Sequence, residues 1–286
     1  MLTTVNGIPY FWQEQGDGPL LVLVHGGAAH SGWFQWMMPR LAQRYRVVMP
    51  DLRGHGWSGH ADRYSWDAHA EDIEALVGLL VGDEPYYLAG HCSGGYIGMV
   101  ISARGMRPPA ALVGMEVRPT LPPDEDADMW ARASKPPGRY RNLEALERSW
   151  RIYAQRHGLP VERALLLARE ACRPEPDGSW IALSDPRTLA QEPFDTYELA
   201  AKVTCPTLLI HGEQSHMLSR IQFLLVAMEL RFGAFEEIPG GSHNFMVEQP
   251  EATCALIERF LEQTAVRGTL PAASGSPAGS PPSRPS

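Results

Sequence analysis

The run Gly90-His91-Cys92-Ser93-Gly94-Gly95 follows the apolar Tyr86-Tyr87-Leu88-Ala89 and precedes Tyr96-Ile97-Gly98-Met99-Val100-Ile101. The first flank reads as a buried strand and the second as the start of a helix. A strand that turns at once into a helix around a Gly-x-nucleophile-x-Gly core forms a nucleophile elbow. The glycines carry no Cβ where strand and helix are brought together. Register decides which residue is presented. Two residues back and two forward from Cys92 stand Gly90 and Gly94, whereas the same count from Ser93 meets His91 and Gly95. The elbow therefore presents Cys92. The competing reading is a small buried thiol in a Gly-rich turn, since free Cys often behaves as a small hydrophobe.

Around this stretch, 286 residues suffice for one large α/β domain with an inserted subdomain. Net charge is -8 with acids and bases interspersed, which speaks against nucleic acid or an anionic membrane surface as partner. Cys92, Cys172, Cys205 and Cys254 show no paired spacing, so a reducing compartment is expected. The opening residues lack the pattern of a signal peptide, and no apolar run reaches membrane-spanning length. A cytoplasmic protein is the expectation.

In chain order, Leu2 to Val5 and Tyr10 to Gln15 predict a hairpin across Asn6-Gly7. The unbroken apolar run Leu20 to Val24 predicts a strand buried on both faces. Trp33, Trp36, Met37 and Leu41 recur at helical spacing, predicting a helix from Ser31 to Arg44. Further strands are expected at 46–50, 110–116, 206–210 and 234–238, and helices at 71–81 and 251–263. Strands alternating with helices imply a mostly parallel sheet with helices on both faces. From about Arg118 to Lys202 the pattern changes to Pro-punctuated helical stretches with scattered aromatics. The expected organisation is a core first part at 1–117, a helical cap at 118–202, a core second part at 203–266 and a disordered tail at 267–286.

The chain resembles the α/β-hydrolase family from about residue 5 to 265, and four stretches carry the likeness. His25-Gly26-Gly27 resembles the oxyanion-loop motif, and Asp51-Leu52-Arg53-Gly54-His55-Gly56-Trp57-Ser58-Gly59 the D-x-R-G-x-G-x-S turn. The elbow is the third. Ile238-Pro239-Gly240-Gly241-Ser242-His243 resembles the loop bearing the base, which implies His243 in that role. A cysteine elbow is similar to those of dienelactone hydrolases and polyhydroxyalkanoate synthases. The family usually places its acid after the strand ending Ile210-His211-Gly212, but Ser215 stands there. Met115-Glu116 followed by Arg118-Pro119 resembles the acid segment of some haloalkane dehalogenases, implying Glu116. Glu116 follows Cys92 by 24 residues, suiting a helix and one strand back to the same sheet edge. Glu213, or no acid at all, stays open at this level.

The resemblance implies a Cys92–His243–Glu116 triad with an oxyanion hole from the Gly27 and Ser93 backbone N–H groups. The helix N-terminus at Cys92 favours a thiolate. His25, His91, Trp130 and Trp150 are candidates for the substrate pocket. Ten His residues show no metal-ligand spacing, and the Gly-rich loops lack nucleotide-binding spacing, so a cofactor-free and metal-free enzyme is expected. Three functions are consistent with these residues. One is a hydrolase of a carboxylic ester, lactone or thioester, acting on a small-molecule acyl substrate, possible forms including a carrier-bound or coenzyme A thioester. The second is an acyltransferase or cyclase on the same thioacyl enzyme. The third is a ligand-binding protein on a hydrolase scaffold.

Overall fold

The computed structural model describes residues 1–120, 123–217 and 219–268. The chain begins with β1 (Leu2–Val5), β2 (Ile8–Gln15), β3 (Leu20–Val24), β4 (Arg46–Pro50), β5 (Tyr86–His91) and β6 (Ala111–Met115). Three short strands follow, β7 (Arg139–Tyr140), β8 (Cys172–Pro174) and β9 (Trp180–Ala182), then β10 (Thr207–Gly212) and β11 (Gly233–Ile238). The helices are α1 (Met38–Leu41), α2 (Trp66–Val81), α3 (Ser93–Arg104), α4 (Pro123–Ala133), α5 (Leu143–His157) and α6 (Val161–Glu170). After them come α7 (Thr196–Ala200), α8 (Arg220–Glu229), α9 (Phe245–Glu248) and α10 (Pro250–Gly268).

Among the described residues the central sheet runs β1-β2-β4-β3-β5-β6-β10-β11. β1 and β2 are antiparallel to their neighbours, and the remaining pairs are parallel. The side-chain period of two sends alternate residues of β3 into different cores. Leu20, Val22 and Val24 pack with residues of α2, α3 and α8, such as Ile73, Ile97 and Phe223. Leu21 and Leu23 pack with Met37, Leu41, Ile257 and Leu261 on the opposite face. A sheet covered on both faces explains why its strands read as unbroken apolar runs.

The local differences from the sequence reading have physical causes. The helix expected over Ser31 to Arg44 is broken into a 3-10 turn at Ser31–Phe34 and the short α1, which has Pro39 in its first turn. Pro fits a helix start but not its interior. α2 begins earlier than its apolar periodicity suggests, because Ser65 caps it by accepting from the Ala68 N–H. Residues 118–202 hold helices α4 to α7 together with a three-stranded antiparallel sheet, β7-β9-β8. Gly178, at φ 81, turns β8 back into β9. This insertion is anchored to the sheet's core: Ala154, Leu159, Ala164 and Leu167 share a cluster with Leu21, Met37 and Phe245. α10 continues to Gly268, and the rest of the expected tail lies outside the described residues. No helix among the described residues is long and apolar enough to cross a membrane.

The elbow is a tight point of the fold. Cys92 sits between β5 and α3 at φ 50 and ψ -114. Its N–H donates to the Met115 carbonyl at 2.8 Å, extending the pairing of β5 with β6. A Cβ on Gly90 would come within 2.3 Å of the Gly94 carbonyl group, and one on Gly94 within 2.1 Å of the Val24 carbonyl oxygen. Both obstacles are backbone, which cannot swing aside. Gly94→Ala is therefore expected to destabilise the protein by about 3 kcal/mol or more. A melting temperature within a degree or two of the parent would contradict this.

Candidate active site

The sheet's carboxyl edge collects the reactive groups. Cys92 leaves β5, Glu116 follows β6, and His243 lies in the loop between β11 and α9. Glu116 shares the unusual backbone of Cys92, with φ 55. Two neighbouring strand ends thus hold Cys92 and Glu116 at positive φ, at a cost of order 1–3 kcal/mol each. The Glu116 N–H donates to the Ile210 carbonyl at 3.0 Å, which ties that turn to β10.

Glu116 is fully buried and accepts four hydrogen bonds. Oε1 receives the His211 Nδ1–H at 2.9 Å and the Gly212 N–H at 2.8 Å. Oε2 receives the Ser215 hydroxyl at 2.6 Å and the His243 Nδ1–H at 3.0 Å. Burial pushes this carboxyl up, but the bonds from His211, His243 and Ser215 outweigh it and hold it down at about 2. Glu213 is exposed and accepts from the Gly240 N–H at 2.7 Å. Of the two carboxylates considered in the sequence, Glu116 is the one on His243.

With Nδ1 engaged by Glu116, the other ring nitrogen of His243 is left for Cys92. Burial disfavours its imidazolium, but bonds to Cys92 and Glu116 raise it to about 9. Burial likewise raises the Cys92 thiol; the hydrogen bond and charge of His243 overcome this and leave it below its ordinary value. The Arg118 charge and the Ser93 backbone act in the same direction. These two groups titrate as a pair, favouring thiolate–imidazolium. Alkylation of Cys92 by iodoacetamide should accordingly keep its rate well below pH 8.5, the region where a free thiol loses its reactivity. A rate midpoint at or above about 8.5 would contradict the pairing.

Cys92, His243, His91, Trp150 and Gly27 line one cavity of about 320 Å³. The Gly27 backbone lies beside Ser93: a Cβ on Gly27 would stand 3.5 Å from the Ser93 hydroxyl. His91 donates its Nε2–H to the His243 carbonyl at 2.9 Å, and the two rings lie 4.7 Å apart. Burial and the His243 charge hold His91 down at about 3, so its ring is neutral.

Two pocket candidates stand elsewhere. His25 is buried behind the loop, bonded to the Gly26 carbonyl and the Leu52 N–H, and does not line the cavity. Trp130 is half exposed on α4 and lines a separate groove with Tyr64 and Arg187. Arg132, on the same helix, lines the cavity instead. Residues a pair apart on a helix point roughly 200° apart, so only the docking of α4 decides which faces inward.

Sequence reasoning missed Trp33 and Arg132 as wall residues, and His211 and Ser215 as partners of Glu116. The only signal for the last two was their position around the place where the acid was expected. No Asp or Glu lines the cavity among the described residues. Three buried polar atoms on its walls, Trp33 Nε1, His91 Nδ1 and Asn244 Nδ2, have no partner among those residues.

Comparison with known proteins agrees with this architecture. Residues 21–256 match the model of the alpha/beta hydrolase family, and the chain belongs to that family. It is similar to 2-(acetamidomethylene)succinate hydrolase of Mesorhizobium japonicum, with 24% identity over 87% of this chain and 90% of the relative. It is also similar to the pimeloyl-[acyl-carrier protein] methyl ester esterase of Nitrosospira multiformis, with 27% identity over 88% and 98% of the two chains. The crystal structure of E-2-(acetamidomethylene)succinate hydrolase superposes with a TM-score of 0.82 at 24% identity, covering 92% of this chain and 98% of that one. The protein is an α/β-hydrolase enzyme.

Proposed function

We propose that this enzyme hydrolyses a carboxylic ester, lactone or thioester through a thioacyl intermediate on Cys92. One observation carries the reading: a cysteine at a strained strand–helix turn and a histidine bonded to a buried carboxylate line the same cavity. In the first half-reaction the Cys92 thiolate forms a bond to the acyl carbon. The carbonyl electrons move onto oxygen, where the Gly27 and Ser93 N–H groups would receive them. The bond to the leaving group then breaks, and the His243 imidazolium supplies the proton it needs. In the second half-reaction His243 takes a proton from water, water adds to the thioester, and the thiolate departs. Glu116 keeps Nδ1 of His243 protonated throughout and stabilises its cationic form.

The esterase relative supports the substrate class as coarse chemistry. The unpartnered polar atoms on the walls favour an acyl group that brings polar atoms of its own. The test is turnover of a panel of simple esters, lactones and acyl thioesters without added acceptor. Release of one free acid per substrate consumed supports hydrolysis. Product formed only when an amine, alcohol or thiol is supplied would replace hydrolysis by acyl transfer from the same intermediate.

A further inference from the structure

The proposed reaction needs the Gly27 N–H to point into the cavity, and two buried histidines grip the peptides on either side of that residue. His25 lies at the end of β3 and His55 in the turn after β4; both are at most 2% exposed. His25 Nδ1 is 2.7 Å from the Gly26 carbonyl oxygen, and its Nε2 accepts the Leu52 N–H at 3.0 Å. His55 Nε2 accepts the Ala28 N–H at 3.2 Å, and its Nδ1 lies 3.0 Å from the Arg53 carbonyl oxygen. A carbonyl only accepts and a backbone N–H only donates. Both rings must therefore be neutral and protonated on Nδ1. Burial favours this state, leaving His55 at about 4 and His25 well below its ordinary value.

The Gly26 carbonyl and the Gly27 N–H belong to one planar trans peptide, so they point in opposite directions. A carbonyl held against His25 aims the Gly27 N–H the other way. The following peptide, with the Gly27 carbonyl and the Ala28 N–H, is held by His55. Ala28 sits at φ 55, a conformation that a residue with a Cβ keeps only under such restraint. The Ala29 N–H also reaches the Gly26 carbonyl, at 3.3 Å, so without His55 the turn keeps one long backbone bond and the Ala28 peptide loses its side-chain anchor.

We propose that His55 is a positioning residue for the oxyanion hole, locking the Gly26–Ala28 loop to the turn after β4 while His25 orients the donor peptide. This rests on the thioacyl reading above, and a pair of reagents separates the two. Acylation by p-nitrophenyl acetate places charge on a carbonyl oxygen and needs the hole. Alkylation by iodoacetamide does not: the sulfur–carbon bond forms as iodide leaves with its electron pair.

In His55→Phe and His55→Leu, the rate of Cys92 acylation, read by intact mass, should fall about 10-fold or more, against the 10²–10³-fold typical of losing a donor outright. Alkylation should stay within about twofold of wild type. His55→Gln, whose amide oxygen can accept from Ala28, should recover most of the loss. Equal falls in both reactions, or no fall in acylation, would overturn the proposal. A wild type that is alkylated but never acylated would instead remove the thioacyl reading itself, and this proposal with it.

Discussion

Cys92→Ala is expected to lower turnover of an ester or thioester substrate by about 10⁴-fold or more while leaving the fold intact. The side chain is reduced to its Cβ, so the atoms that shape the elbow stay in place. The strain at φ 50 is shared by any residue with a Cβ, and it neither grows nor disappears on substitution. What goes is the thiolate that His243 stabilises. The backbone N–H groups proposed as oxyanion donors and the cavity remain, and such groups account for the residual rate over water seen when a nucleophile is deleted. Activity measured as kcat/KM, beside a melting curve close to that of the parent, checks both parts. Turnover within tenfold of wild type would place the chemistry on another residue.

Glu116→Gln should cost about 10³–10⁴-fold in kcat, the loss that follows when a triad acid becomes an amide. Its geometry explains the size. Oε2 accepts both the Ser215 hydroxyl and the His243 Nδ1–H. A glutamine amide offers one oxygen, and the Gly212 N–H and His211 already converge on the other position. The NH₂ would then face His243 and drive it to the wrong tautomer. The His243 pKa should also drop from about 9, since Glu116 is one of the groups that raise it. Stability carries a second signature. The folded carboxyl, at about 2, lies below its unfolded value of about 4.3, so its ionisation stabilises the native state above that value. This contribution fades as the pH falls towards 2. The difference in melting temperature between wild type and Glu116→Gln should shrink over the same range. A difference independent of pH, with kcat unchanged, would make Glu116 an ordinary buried carboxylate.

The elbow and the parallel sheet were legible because each rests on a local constraint. Gly90 and Gly94 fix the register of Cys92, and their missing Cβ atoms turn out to be demanded by backbone contacts of 2.3 and 2.1 Å. Strands buried on both faces announce themselves as apolar runs. Glu116 was readable by resemblance, but its selection over Glu213 depends on distances that a sequence does not contain. The pocket was much less legible. Trp130 and Arg132 share α4, and no periodicity says which side of that helix meets the cavity. His25 and His91 both flank glycines at strand ends, yet one turns behind the loop and the other towards the cavity. Those outcomes are set by tertiary packing rather than by neighbours in the chain.

The most direct measurement is the intact mass of the protein after brief exposure to activated esters and acyl thioesters, comparing wild type with Cys92→Ala. The account predicts a single acyl increment on wild type that is absent from Cys92→Ala and that decays as free acid is released. An increment that persists in Cys92→Ala, or turnover of the same substrates with no increment on wild type under rapid quenching, would contradict the thioacyl mechanism.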